Sequence, residues 1–255
     1  MIKVKNFIKS YWKILVFFTV IGLVGGFFTG LYGVDSYPPE MQQEMLDAGL
    51  TRNLMGVVSA VQSAGYGLIL GAIGIFLAKK IGLWRDKLKF ERKPLLSTVL
   101  VSVIGGLALI LSDILFFGKY SEAIMESYAA KPTVPYLIAM VTYGAVIEEV
   151  MLRLFLMSLA AFLLHMIFDR GKDKVSTWVF IVANIICALL FAAGHLPANE
   201  MLFGLSPMII ARCFLLNGVF GLLFGRLYRK YGLQYAMLAH GGCHVVSKII
   251  WIAVL

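Results

Sequence analysis

The sequence predicts an all-α fold: a polytopic transmembrane helical bundle with about seven spanning helices. Three observations carry that reading. Sixty per cent of the 255 residues are hydrophobic and only 15% are charged. A soluble domain of this length carries about a quarter charged residues. The apolar residues also gather in runs of about 20 or more, the length a bilayer core demands of a helix. Lipid offers no partner to an exposed backbone N–H or C=O, so such runs must be helical.

The runs fall at 12–33, 54–78, 95–117, 134–166, 177–196, 207–228 and 233–254. The first follows Lys3, Lys5, Lys9 and Lys13 and is apolar from Ile14 to Tyr32. A signal-peptide core needs only about 7–15 apolar residues, so this run is read as a first span that stays attached. Gly22, Gly26 and Gly30 recur at every fourth position, and Gly67 with Gly71 and Gly221 with Gly225 repeat that spacing. Small residues so spaced let helices approach closely, which is a packing role. The fourth run is too long for one perpendicular span. It is expected to tilt, or to carry Ser158 to Phe168 into the cytoplasm. No internal duplication and no low-complexity tract interrupts the chain.

The formal charge of +9 could suggest nucleic acid, but the positions of the charges argue against it. Lys and Arg sit in short blocks between apolar runs, as the positive-inside pattern requires. The N-terminal tail, the 79–93 loop, the 169–175 loop and the 226–231 turn together hold 17 of the 23. The opposite loops hold only Arg52, Lys119 and Lys131, and the first of them is acidic, with Asp35, Glu40, Glu44 and Asp47. The N-terminus is therefore expected in the cytoplasm and the C-terminus on the far side. Cys187, Cys213 and Cys243 lie inside apolar runs without a CxxC pair, and read as buried structural thiols.

Ionisable residues inside membrane helices are costly and are usually kept for function. This chain places Glu148, Glu149 and Arg153 in the fourth run, His195 at the end of the fifth, Arg212 and Asn217 in the sixth, and His240 and His244 in the seventh. Glu149 and Arg153 are four residues apart, share a helix face and run in the favourable order for an ion pair. Glu148 lies around the helix from that pair. It is the carboxylate less fully matched by charge, and so the candidate general base. The bland alternative is an ion pair that locks one helix to another. His195 follows Phe191 by four residues, which puts ring and imidazole on one face; alone it reads as an interfacial histidine. His240 and His244 also share a face. Gly241 and Gly242 between them would admit another helix or a substrate backbone.

Two histidines at that spacing suit a metal ion, and the zinc-peptidase motif HExxH adds a Glu after the first His. Here Gly241 occupies that place, so a base must come from another helix. His165, Asp113 and Lys248 read as boundary or snorkelling residues.

Taken together, Glu148-Glu149 with Arg153, Phe191 with His195, and His240 with His244 resemble the CPBP family. These are the CAAX-protease and bacteriocin-processing intramembrane peptidases, also called the Abi family. The family pattern is EExxxR, then FxxxH, then HxxxN or HxxxD on successive core helices. The approach to the third motif is similar as well: Arg212, Asn217, Gly221, Gly225, Tyr228 and Gly232-Leu233, then His240. The resemblance covers roughly residues 134–250. It implies a catalytic core over 134–255 preceded by accessory transmembrane helices over 1–133. The departure is His244, where the family has Asn or Asp. An imidazole donates a hydrogen bond as an amide does, but it also binds metal and changes charge near neutral pH.

The resemblance implies an endopeptidase acting on a membrane-associated peptide or protein within the lipid bilayer. Glu148 would deprotonate a water positioned by His195, and His240 with His244 would hold the oxyanion. Glu149, Arg153, Phe191 and Asn217 would support the site. A zinc variant would use His195, His240 and His244 as ligands, with Glu148 still the base. Two rival classes stay open. One is a proton-coupled transporter, against which stands the lack of an inverted repeat. The other is a catalytically idle member acting by binding, as in immunity to a peptide toxin.

At about 1.5 Å per residue, the run limits leave His195 near the outer end of its helix. His240 then lies about 10 Å from the inner side, and Glu148 near the middle. A shared site therefore requires strong tilt or a shifted fifth helix.

Overall fold

The structure is a computed structural model that describes residues 4–87 and 89–254, with side chains from Asn6 onward. Lys3 and the side chain of Lys5, counted above with the inner charges, lie outside the described residues. The described residues form helices and connecting turns, with no strand. Seven helices are long and apolar enough to span a membrane: α1 (Asn6–Asp35), α2 (Arg52–Lys80), α3 (Arg92–Lys119), α4 (Val134–Phe168), α5 (Thr177–Phe203), α6 (Pro207–Tyr231) and α7 (Leu233–Val254). Two short helices, Pro39–Asp47 and Glu122–Glu126, cross the connections after α1 and α3.

The helix starts are encoded locally. Thr51 and Ser206 cap α2 and α6 by accepting hydrogen bonds from the backbone N–H groups of Leu54 and Ile209. Thr133 does the same for α4 through Tyr136, with Pro135 in the first turn. Asp169 caps α5 from outside it. Its carboxylate accepts from the backbone N–H and hydroxyl of Ser176 and from the Lys172 ammonium, all within 2.8 Å. Lys172 above all, helped by Ser176 and His165, holds this carboxyl below the usual carboxylate range. The reversals after α5 and α6 fall on Gly204 (φ 70°) and Gly232 (φ 120°), backbone angles that a side chain disfavours.

α4 is the central element and packs on α1, α2, α5, α6 and α7. α1 lies along α2, and α3 lies along α7. The glycine spacings in the sequence mark these contacts. A methyl group on Gly22 would lie 2.5 Å from the Ser63 carbonyl oxygen, and one on Gly30 would lie 2.5 Å from that of Met55. Gly67 packs on the Phe18 carbonyl and Gly221 on Ala188 in the same manner. Large apolar side chains such as Val16, Leu96, Leu100 and Ile181 cover the outside of the bundle. Water would not tolerate that surface, and lipid solvates it.

Candidate functional site

The middle of α4 departs from α-helical winding. Met140–Glu148 and Val150–Met157 are π-helical, with Glu149 at the junction between them. π-turns cluster at functional sites because they re-aim side chains. Here both carboxylates face His240 of α7.

Glu149 and Arg153 are fully buried. The Arg153 guanidinium lies 2.9 Å from Glu149 Oε1 and donates to the Gly221 carbonyl at 3.0 Å. It is sandwiched by the rings of Phe191 and Phe224, with centroids 4.7 and 5.4 Å away. The same Glu149 oxygen meets His240 Nδ1 at 2.9 Å. Gly221 lets α6 pack tightly here, since a methyl group would stand 3.2 Å from Ala188 Cα and 3.3 Å from the guanidinium.

Glu148 is placed differently. Its side chain is 19% exposed, and its Oε2 lies 3.9 Å from His240 Nε2. The imidazole of His240 thus has one carboxylate on each nitrogen. Its ring stacks on Phe224 at 4.8 Å and meets His244 at 5.0 Å. His244 in turn faces α4 beside Gly144.

The two glycines between the histidines are filled by other helices. Gly241 packs against Ala145 of α4, and Gly242 abuts Ser102 of α3. A neighbouring helix, one of the two partners expected from the sequence, is what approaches there.

His195 occupies a turn that interrupts α5, not the end of that helix. The helix continues to Phe203, about 12 Å further at 1.5 Å per residue, so His195 does not close it. Its Nδ1 lies 2.8 Å from the Phe191 carbonyl oxygen. A carbonyl only accepts, so Nδ1 carries a proton, and in the neutral ring Nε2 presents a lone pair. His195 meets the edge-on ring of Phe191 at 4.7 Å, and His240 meets the same ring at 5.8 Å. Phe191 therefore links the fifth-helix histidine to the seventh-helix pair. Asn217 does not join them. It lies in the π-helical turn Phe214–Gly218 of α6, and its amide donates to the Cys213 carbonyl.

The three imidazoles named as zinc ligands do not come together as a ligand set. Among the described residues no group of three or more His, Cys, Asp or Glu side chains is arranged to hold a metal ion. His240 Nδ1 is taken by Glu149 and His195 Nδ1 by a carbonyl, which leaves Nε2 as the nitrogen each ring presents to the site.

A second polar cluster was not legible as one. Asp113, read above as a boundary residue, is 1% exposed. It forms a two-point pair with Arg212, both contacts at 2.6 Å, and accepts from the Tyr128 hydroxyl at 2.8 Å. The pairing crosses 99 positions of sequence, which is why local spacing gave no hint of it. Arg212 also donates to Asn199 Oδ1 at 3.3 Å, and the Asn199 amide donates to the His195 carbonyl at 2.8 Å. Lys248, likewise read as a boundary residue, lies over the rings of Tyr136 and Trp251.

Cys187 and Cys213 are buried and donate to the carbonyls of Leu152 and Ala192, so they serve as packing groups beside the site. Cys243 is likewise buried and unbridged.

An apolar cavity of about 450 Å³ opens between α1, the loop after α2 and the start of α7. Val146 and Met237 line it, within one turn of Glu148 and His240 in their respective helices.

No curated protein and no solved structure matches the chain. Residues 130–246 match the family model described as Rce1-like, type II CAAX prenyl endopeptidase Rce1-like. The matched stretch contains Glu148, Glu149, Arg153, Phe191, His195, His240 and His244. Over residues 130–246 the chain is thus similar to the CPBP (Abi) family, which points to a CAAX-type intramembrane protease.

Proposed function

We propose that the protein is an intramembrane endopeptidase in which Glu148 activates a water against a peptide bond. The observation that carries this reading is the division of labour between adjacent carboxylates. Glu149 is fully buried and committed to Arg153 and His240. Glu148 is partly open and has only the 3.9 Å approach to His240 among the described ion pairs. One carboxylate is structural and the other is free to exchange a proton.

In this mechanism Glu148 takes a proton from the water as its oxygen attacks the carbonyl carbon. His195 Nε2, the lone-pair nitrogen, accepts a hydrogen bond from the water's other O–H and orients it, and that hydrogen stays on the attacking oxygen. The carbonyl oxygen becomes an oxyanion that accepts hydrogen bonds from His240 and His244. The form of His240 that donates from Nε2 while keeping Glu149 on Nδ1 is the imidazolium. Glu148 and Glu149 then balance Arg153 and His240, leaving the cluster neutral inside lipid. As the C–N bond breaks, Glu148 returns its proton to the leaving nitrogen. Donors fixed before the charge develops contribute several kcal/mol.

On this reading residues 134–255 form the catalytic core and 1–133 are accessory, although α3 is packed closely on α7. The basic connections face the cytoplasm, with the N-terminus on that side and the C-terminus opposite.

Purified protein in liposomes with a fluorogenic membrane peptide tests the reading. Cleavage without ion flux supports it. Proton flux without cleavage refutes it and favours a transporter, and binding of intact peptide without either refutes it in favour of the idle, binding member.

A further inference from the structure

We propose that the chain carries a binding site for an anionic phospholipid at its basic end, independent of the peptidase reading. Two cavities adjoin there. A polar one of about 320 Å³ is lined by Arg85, Lys87, Lys89 and Lys230, with Glu91 as its single carboxylate. The apolar one of about 450 Å³ runs beside it and shares Arg85 and Gln234. None of the four cations is in an ion pair with a carboxylate among the described residues, whereas nearby Lys79 is paired with Asp86. The polar cavity therefore holds a net excess of three positive charges.

The walls are fixed in place. The Tyr235 hydroxyl donates to the Lys89 carbonyl and accepts from the Glu91 N–H, both at 2.8 Å. Gln234 donates to the same carbonyl at 3.3 Å. On the other side, Asp86 accepts from the Tyr11 hydroxyl at 2.9 Å and the Trp84 indole at 3.1 Å. The loop is thus pinned to α7 on one side of the cavity mouth and to α1 on the other.

The chemistry of the occupant follows from this pairing of compartments. A multiply charged anion alone would not use the apolar chamber, and a neutral lipid would not use four cations. A phosphate-bearing head joined to a hydrocarbon chain uses both. The site also lies at the end of the bundle richest in Lys and Arg, the end that meets an anionic leaflet.

The test uses the full chain in phosphatidylcholine vesicles containing spin-labelled phosphatidylglycerol, with the motionally restricted fraction read by electron paramagnetic resonance. Each cation facing an anionic leaflet is worth about fivefold in association. Arg85→Gln/Lys89→Gln/Lys230→Gln is therefore expected to lower relative phosphatidylglycerol retention on the order of a hundredfold, to the level of labelled phosphatidylcholine. Met237→Trp, which fills the apolar chamber, is expected to lower it severalfold with the cations intact. Inorganic phosphate is expected not to displace the lipid. Lys230→Gln alone, on the helix and away from the loop, serves if the triple variant fails to fold, with an expected loss of about fivefold. Retention unchanged in the charge variants overturns the proposal. So does displacement by inorganic phosphate, which would make the pocket a simple anion site. Neither result depends on peptide cleavage.

Discussion

Replacing Arg153 with Met tests the buried frame of the site without touching the proposed base. The guanidinium has 1% side-chain exposure, its Glu149 partner has none, and they stand 2.9 Å apart. Removing the cation leaves Glu149 charged in an apolar interior with His240 as its remaining partner. It also frees the Gly221 carbonyl and takes the cation from between Phe191 and Phe224. Breaking a buried pair by removing one partner costs about 3–5 kcal/mol, chiefly from the charge left behind. Arg153→Met should therefore lose about 3–5 kcal/mol of unfolding free energy, measured by steric trapping in bicelles. Glu149→Leu/Arg153→Met should be more stable than Arg153→Met alone, because no charge is stranded. Arg52→Met supplies the contrast. Its pair with Asp35 is 2.6 Å long but 43% and 30% exposed, and such pairs are worth about 0.2–1 kcal/mol. If Arg153→Met cost no more than Arg52→Met, the account of a desolvated Glu149–Arg153 frame would be refuted.

Three further outcomes follow from the packing and the second cluster. Gly221→Ala should destabilise by about 1–3 kcal/mol through overpacking on Ala188 and Arg153. Gly65→Ala, where a methyl group meets nothing within 4 Å, should be neutral or stabilising by up to about 1 kcal/mol; the same unfolding assay separates the two. The carboxyl of Asp169 is depressed in the folded state by Lys172 and its other partners. The stability it contributes is therefore present above the unfolded carboxylate value of about 3.9. It is lost as pH falls from there through the folded value, because the unfolded chain then binds the extra proton. Asp169→Asn should flatten the acid limb of the stability–pH curve. Arg212→Gln should loosen the Asn199 hold on the His195 turn and lower kcat by up to about 100-fold with KM little changed. An equal loss in both parameters, or none, would rule out a positioning role.

The seven spans were legible because lipid imposes a length and a composition that no other environment asks for. The glycine spacings were legible for a similar reason, since close approach leaves a mark every fourth residue. Glu149 with Arg153 could be paired by helix spacing, and the structure keeps them at 2.9 Å. What spacing could not supply was the winding of α4 or the continuation of α5. Nothing in Met140–Met157 announces a π-helix, and Leu196–Phe203 has Pro197 in its first turn, a residue that cannot continue a preceding helix without breaking it. Here the helix breaks for one turn at His195 and resumes. The resumed helix carries the fifth span to Phe203, past the limit at residue 196 that put His195 at its end. Asp113 was misjudged for a related reason. Its partner Arg212 is on another helix, and a charged residue near a span end looks the same whether it reaches for water or for a distant cation.

The central claim is that Glu148, not Glu149, moves the proton. Cleavage of a labelled membrane peptide by Glu148→Gln protein, with its unfolding free energy shown to match the wild type, tests it most directly. A positioned general base contributes about 10²–10⁴-fold, so the variant's kcat should fall by at least about 100-fold with peptide binding retained. A correctly folded Glu148→Gln protein that cleaves at the wild-type rate would contradict the mechanism.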